Sequence, residues 1–180
     1  RVAMIAQPVT DSDYMRFGAP KYGWWVTGGN IDSMVAHYTA AKRRRSDDAY
    51  TPGGRAGRRP DRAVTVYCRR IRALYPDAQI VTGGLESSMR RFAHYDYWSD
   101  TVMPSILVDS GADLLIYGMG EKQTELIARA LADGVPARAI RCRGVCYLTN
   151  QLDLPTDAVS VASYAKVRDN KLSFAKATRT

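Results

Sequence analysis

The sequence predicts an α/β fold, built on an open, mostly parallel sheet of the doubly wound, Rossmann-like type. Short apolar runs recur along the chain, segments with helical spacing separate them, and three of the runs end in glycine-containing turns. Strands that are apolar throughout, rather than alternating, are typical of parallel sheets covered by helices on both faces. The alternation of strand and helix favours right-handed crossovers between parallel strands.

Five apolar runs are predicted strands, at residues 2–6, 23–27, 78–82, 114–117 and 145–149. The first run starts almost at residue 1, so the sheet is expected to be incomplete at its amino terminus. The last run is predicted as a final strand or an edge hairpin.

Helices are predicted where apolar residues recur at helical spacing, at 31–38, 63–74 and 126–131. Pro60 and Asp61 are typical of a helix start, and Gly134 is typical of a helix end. Residues 151–156 are a predicted linker, and Ser163 is the predicted cap of one helix that runs to about Arg179. The chain therefore divides into a doubly wound domain at 1–150 and a linker with a helix at 151–180.

The composition is that of an ordinary globular protein, with 46% hydrophobic and 24% charged residues. No apolar run approaches the roughly 20 residues that a membrane-spanning helix needs. Three cysteines are too few for a disulfide framework, so we expect reduced thiols and a cytoplasmic location. Cys142 and Cys146 supply at most half a metal site, and the third cysteine of a C-x-x-x-C-x-x-C cluster motif would fall at Thr149. No metal site is predicted.

The formal net charge is +8, and the excess of positive charge is concentrated between Lys42 and Arg62. This stretch contains eight basic residues and only three aspartates. Pro52 and the glycines beside it exclude one continuous helix, so this stretch is predicted to be a basic loop. Such a loop is either solvated or paired with acidic residues of a missing domain, or it binds a polyanion such as nucleic acid. Tyr50 is the only aromatic residue among these arginines. This weakens a model in which aromatic side chains of the loop stack on the bases of single-stranded nucleic acid.

Three glycine-bearing loops follow predicted strands, and ligands bind outside the carboxyl ends of the strands in open parallel sheets. Each loop leads into a helix whose first N–H groups are able to receive an anion, although tight turns need glycine in any case. No loop matches G-x-G-x-x-G or the P-loop. The candidate residues of these loops are Asn30, Gly83, Gly84, Gly118, Gly120 and Glu121.

The densest polar segment, residues 86–100, follows the third predicted strand and should emerge at the same edge. His94 has no partner at metal-ligand spacing and is interpreted as a structural hydrogen-bonding residue. The arginines of this segment either bind a carboxylate or phosphate or pair with its aspartates. The candidate surface comprises Asp32 and, from this segment, Glu86, Arg90, Arg91, His94, Tyr95, Asp96 and Asp100. We assign none of these residues a catalytic role.

Several stretches together resemble a known family. They are the stretches at 5–8, 29–34, 37–40, 47–52, 59–63 and 83–91 and, most distinctively, residues 93–100. Their order and spacing are similar to those of the amino-terminal region of YgiQ-family radical SAM proteins. The likeness runs from Arg1 to about Tyr147 and continues near 163–179.

This resemblance implies a domain that stands before a radical SAM barrel. In that barrel three cysteines beyond Thr180 would hold a [4Fe–4S] cluster that cleaves S-adenosylmethionine. It also implies a further strand and helix before Arg1. The domain resembles the cobalamin-binding domains of other radical SAM enzymes, but neither His37 nor His94 lies in a D-x-H-x-x-G motif. Cobalamin is therefore not expected, and no cofactor is assigned to this chain.

The leading functional expectation is an accessory domain of a radical SAM enzyme, which contacts the barrel or positions the substrate. Its glycine edge and the segment 86–100 would form the contact surface. Two alternatives remain open: a polyanion-binding module that uses the loop 42–62, and a domain that binds a small molecule at the glycine loops.

Overall fold

A computed structural model describes residues 1–150 and 155–180. Four strands form an open sheet in the order β1-β2-β5-β6, and two further strands, β3 and β4, form a separate antiparallel hairpin. The first three strands of the sheet are parallel, and β6 is antiparallel to β5. The strands are β1 (Trp24–Thr27), β2 (Ile80–Gly83), β3 (His94–Asp96), β4 (Thr101–Met103), β5 (Leu114–Ile116) and β6 (Val145–Cys146).

Helices connect the strands and cover the sheet. They are α1 (Asp11–Met15), α2 (Ser33–His37), α3 (Ala63–Leu74), α4 (Gly84–Met89), α5 (Ile106–Ser110), α6 (Glu121–Ala132), α7 (Tyr164–Asp169) and α8 (Lys171–Arg179). Short 3₁₀ turns occur at Pro52–Gly54 and Ala137–Ala139. No helix among the described residues is long and apolar enough to cross a membrane.

Two apolar clusters lie on opposite faces of the sheet. Ile80 and Leu115 pack in one cluster with residues of α1, α3 and α5. Leu114 packs in the other with Ile127 and further residues on α6. Since successive strand residues point to opposite faces, neighbours such as Leu114 and Leu115 enter different cores. The predicted open, mostly parallel α/β fold with helices on both faces is confirmed.

The predicted first strand is wrong. Residues 1–6 form no strand, and Val2 and Met4 are 98% and 87% exposed. An apolar run becomes a strand only where a neighbour supplies ladder hydrogen bonds, and within the described residues β1 pairs only with β2. Gln7 instead bends the chain with a φ of 46° and donates its amide N–H to Thr51.

The carboxyl-terminal part differs from the prediction in two places. The final strand covers only Val145–Cys146 of the predicted 145–149. The single helix from Ser163 to Arg179 is two helices, because Asn170 has extended backbone angles and its side chain accepts a hydrogen bond from Ser173 N–H at 2.9 Å. Asparagine favours such caps over helix interiors. The predicted linker lies largely outside the described residues.

Candidate ligand cleft at the carboxyl edge of the sheet

A cleft of about 480 Å³ opens where the three parallel strands end. This volume lies within the range of small-molecule sites, about 300–1,000 Å³. Its walls come from the ends of β1, β2 and β5 and from the first turn of α6, and its lining residues include Trp25, Thr27, Gly83, Gly84, Gly118, Gly120 and Glu121. The structure thus brings two of the three glycine loops together in one cleft.

Gly84 is required by the geometry of the cleft wall. Its φ is +81°, a conformation that residues with a Cβ rarely adopt. A Cβ at this position would also collide with the Thr27 side-chain oxygen on the neighbouring strand. The strand-to-helix turn after β2 therefore depends on glycine for both backbone conformation and space.

We expect Gly84→Ala to destabilise the chain by roughly 2–3 kcal/mol, about 1–2 from the left-handed backbone and the rest from the collision with Thr27. Gly18→Ala is the matched control, because Gly18 has a φ of +71° but nothing within 4 Å of its missing Cβ. Urea unfolding checks both. Equal losses of stability in the two variants would show that the collision with Thr27 contributes nothing.

Glu86 lies in the interior rather than on a surface, with 1% of its area exposed. Its two carboxylate oxygens accept hydrogen bonds from Ser33 N–H at 2.9 Å and Val64 N–H at 3.0 Å. These N–H groups belong to the first turns of α2 and α3, where backbone donors lack helical partners. Glu86 thus joins the starts of two helices and positions the loop after β1.

Asp32 and Arg90 form a second buried connection. Asp32 caps α2 by accepting from Met34 N–H at 2.9 Å, and it pairs with Arg90 at 2.8 Å. Arg90 also lies 3.7 Å from Glu86. The charge of Arg90 is therefore matched inside the fold, and this arginine is not exposed for a ligand.

Arg91 occupies a different environment from its neighbour. Its guanidinium lies 5.0 Å from the Phe92 ring centroid and 5.1 Å from that of Tyr117, and it donates to the Ser88 carbonyl at 2.6 Å. The Ser88 hydroxyl accepts from the N–H of Gly118, a cleft residue, at 3.3 Å. Arg91 thus lies near the loop after β5, outside the cleft lining.

The hairpin of β3 and β4, with its turn, holds the predicted residues of the segment 94–100. Asp96 pairs with Arg62 at 2.7 Å and accepts from Ser99 N–H. Burial raises the pKa of Asp96, but the Ser99 hydrogen bonds and the Arg62 cation outweigh burial and hold the pKa below its ordinary value. Burial lowers the pKa of His94, which therefore favours the neutral imidazole.

The other hairpin residues are more exposed. The Tyr95 hydroxyl donates to Asp100 at 2.6 Å, and Asp100 has a φ of 54°. Neither residue lines the cleft. Asn30 is exposed in the loop after β1 and lies outside the cleft lining as well. The candidate residues therefore divide among a cleft wall, a buried framework and a hairpin, rather than forming one surface.

Sequence reasoning missed a buried ionic network inside the basic loop. Arg59 is 4% exposed and donates to both oxygens of Asp48, at 3.0 and 3.2 Å, and to the Gly28 carbonyl at 2.8 Å. His37 is also buried and contacts Asp61 at 2.6 Å. The Asp47-Asp48 pair within a run of arginines was the available signal, because buried arginines require acidic partners.

This network changes the interpretation of the basic loop. Arg59 and Arg62 are matched by Asp48 and Asp96, and Lys42 donates to the Trp98 carbonyl at 2.9 Å. The positive charge thus partly stabilises the fold. The expected pairing with acidic residues of a missing domain is wrong for Arg59 and Arg62, whose partners lie in this chain. The described residues give no support for nucleic-acid binding.

The cysteines do not fit a metal cluster. Cys68 is buried in one apolar cluster, while Cys146 lies in the edge strand β6. Burial raises the pKa of each of the three thiols, which disfavours the thiolate that metals require. Among residues 1–150 and 155–180, no three His, Cys, Asp or Glu side chains are grouped to hold a metal ion.

Fold and cleft together define an open, mostly parallel α/β domain with a cleft at the carboxyl ends of its parallel strands. The chain belongs to the Radical SAM N-terminal family, whose model matches residues 1–180. The resemblance seen in the sequence is thereby confirmed.

Two curated relatives show how much of a protein the domain represents. The chain is 49% identical over 179 residues to a UPF0313 protein of Clostridium botulinum (strain ATCC 19397 / Type A), covering 98% of the chain and 28% of that relative. It is 48% identical over 180 residues to a UPF0313 protein of Clostridium perfringens (strain ATCC 13124), covering 98% and 27%. The chain thus spans under a third of these relatives. No solved structure matches it significantly.

Proposed function

We propose that this chain is an accessory domain of a radical SAM enzyme, and that the carboxyl edge of its sheet docks on the catalytic part and positions the substrate. Family membership supports the enzyme class. The cluster and S-adenosylmethionine belong to the remainder of the protein in this proposal, because the described residues offer no cysteine set for them. In this proposal the domain supplies a contact surface and no catalytic group.

The observation that carries the proposal is a set of exposed apolar side chains around the cleft. We call this set the apolar rim: Leu85, Met89, Phe92, Tyr117 and Met119. All five residues follow the carboxyl ends of β2 or β5, and Met119 is 84% exposed. Exposed apolar side chains gathered at one edge of a sheet are typical of a contact site.

The occupant that we propose for the rim is the remainder of the same protein. Relatives extend to more than three times the length of this domain, so a large body is available to cover it. Covering the rim also closes the cleft, which excludes water from a bound substrate. The buried hydrogen bonds and ion pairs of Glu86, Asp32 and Arg90 hold in place the loops that form this edge.

The enzyme class is tested on the full-length protein after anaerobic reconstitution. We expect iron and sulfide near four per chain, a reduced-cluster EPR signal and 5′-deoxyadenosine formed from S-adenosylmethionine. A reconstituted protein that binds no cluster and forms no 5′-deoxyadenosine would contradict the radical SAM assignment.

Docking is tested by making the rim polar. In the full-length protein, Met89→Ser/Phe92→Ser/Met119→Ser should accelerate hydrogen–deuterium exchange at 84–92 and 116–120 at least tenfold, since lost apolar contacts open the interface. Val66→Ser is the control, because Val66 is exposed on α3 and is not a rim residue. Unchanged exchange in the triple variant would refute docking through this edge.

A further inference from the structure

The strand β1 is covered by helices on only one of its two faces. Val26 is 8% exposed and packs in the apolar cluster that also contains residues of α1 and α3. Successive strand residues point to opposite faces, and on the other face Trp25 is 40% exposed and Thr27 is exposed as well. Parallel strands are normally covered on both faces, as β5 is in this sheet. One face of β1 is therefore open.

The cleft lies on this open face, between β1 and α6. Trp25 pairs in register with Val81 of β2, and Val81 packs in the cluster that contains residues of α6. Trp25 and Val81 line the cleft on the side of the sheet, and Glu121 and Thr124 line it on the side of α6. The outer edge of β1 is open too, because within the described chain β1 pairs only with β2. A helix in the cleft and a strand at this edge would cover both.

The face on which each helix lies fixes the direction in which the chain moves across the sheet. α3 connects β1 to β2 and α5 precedes β5, and both helices lie on the face that carries Val26. Both connections step from β1 towards β5, and connections between parallel strands are right-handed. α1 lies on the same face through Tyr14, so a parallel strand before α1 belongs beyond the outer edge of β1. A helix on the opposite face belongs to a step in the reverse direction, away from β1.

The contacts of Gln7 indicate which way a strand before α1 would run. Gln7 donates to the Thr51 hydroxyl at 3.0 Å, and that hydroxyl donates to Asp48 at 2.9 Å. Asp48 pairs with Arg59, which donates to the carbonyl of Gly28, the residue that follows β1. Gln7 therefore lies towards the carboxyl end of β1. A strand formed by the apolar run just before Gln7 would thus run parallel to β1.

We infer that a strand and a helix from the part of the protein that precedes Arg1 complete this sheet. The added strand pairs with the free edge of β1, and the helix after it steps away from β1 and packs in the cleft over Trp25. Residues 2–6 then form the outermost strand, because the added strand is the neighbour that they lack in this chain. The chain covers 28% of a curated relative, so a longer protein is available to supply both elements.

This arrangement goes beyond the proposed function, because it assigns the floor of the cleft to the core of the complete domain. The sheet changes direction between the added strand and β1, and ligands of open α/β sheets bind at such a point. A substrate held at the carboxyl edge would then lie at the turn after β1. Docking through the apolar rim involves other residues, at 85–92 and 117–119, so either proposal can fail alone.

Amide hydrogen exchange in the unaltered full-length protein tests the added strand. The Trp24 N–H donates to the Gln79 carbonyl, next to β2, at 2.8 Å. Because N–H groups alternate sides along a strand, those of Trp25 and Thr27 face the free edge of β1. We expect both amides to exchange at least a hundredfold more slowly than in an unstructured peptide. Exchange of either amide at the unstructured rate would overturn the inference.

Photo-crosslinking identifies what covers the cleft. p-Benzoylphenylalanine replaces Trp25 in the full-length protein or, as control, Val108, which is 54% exposed on α5 at the opposite face of the sheet. We expect position 25 to crosslink within one chain to peptides that precede Arg1, and position 108 to form no such crosslink. The inference is wrong if position 25 gives no crosslink to those peptides, reaches only a second chain or peptides after Thr180, or yields no more than position 108.

Discussion

Replacing Glu86 with alanine should lower the free energy of unfolding by roughly 3–5 kcal/mol, because the change leaves two buried N–H donors unpaired and removes an acid beside Arg90. The donors are Ser33 N–H and Val64 N–H, at the starts of α2 and α3. Glu86→Gln should lower the free energy of unfolding less. Its amide oxygen still accepts one of the two hydrogen bonds, whereas its NH₂ group lies against the other backbone N–H. Urea unfolding followed by circular dichroism measures both variants.

Glu125 is the matched control for Glu86. It is an exposed glutamate on α6 that pairs with Arg129 at i,i+4, and such pairs contribute about 0.3–0.5 kcal/mol. Glu125→Ala should therefore change stability little. If Glu86→Ala cost no more than Glu125→Ala, the role of Glu86 in joining two helix starts would be refuted.

Replacing Arg59 with methionine should have an effect of similar size, roughly 3–5 kcal/mol, because it leaves the buried Asp48 carboxylate without its cation. The side chain also loses its hydrogen bond to the Gly28 carbonyl, which precedes the loop after β1. Arg58→Met is the control, since Arg58 is exposed in the same loop, and exposed substitutions of this kind change stability by about 0.5 kcal/mol or less.

The Asp48 pair also gives the stability a defined pH dependence. Burial raises the pKa of Asp48, but hydrogen bonds from Tyr50 and Thr51 and the Arg59 cation outweigh burial and lower the pKa from its ordinary 3.8. A carboxylate with a lowered folded-state pKa contributes stability above its unfolded pKa and loses it as the pH falls through the folded value. Stability should therefore decline below about pH 4. If Asp48→Asn showed the same decline, the contribution of this pair would be refuted.

The sheet was predictable because its determinants are local. The apolar runs at 23–27, 78–82 and 114–117 contain all of β1 and most or all of β2 and β5, and the helix at 63–74 has the predicted bounds. The run at 2–6 failed because strand formation depends on a neighbour that apolar character alone does not reveal. The break at Asn170 was missed because the apolar spacing continues across it.

The candidate site was predictable only in part. Glycines after strands located the cleft, since backbone turns at that edge follow from topology. Whether Glu86, Arg90 or Arg59 faces solvent depends on contacts between residues far apart in sequence. The ion pairs of Arg59 with Asp48 and of Arg90 with Asp32 span 11 and 58 positions. Charge counts along the sequence cannot assign such partners.

The central claim, that the carboxyl edge docks on the remainder of the protein, is tested most directly by photo-crosslinking. p-Benzoylphenylalanine replaces Met119 in the apolar rim or, as control, Val66 on α3, both in the full-length protein. We predict that position 119 crosslinks to peptides outside this domain and that position 66 does not. Crosslinks from position 66 alone, or none from position 119, would contradict the claim.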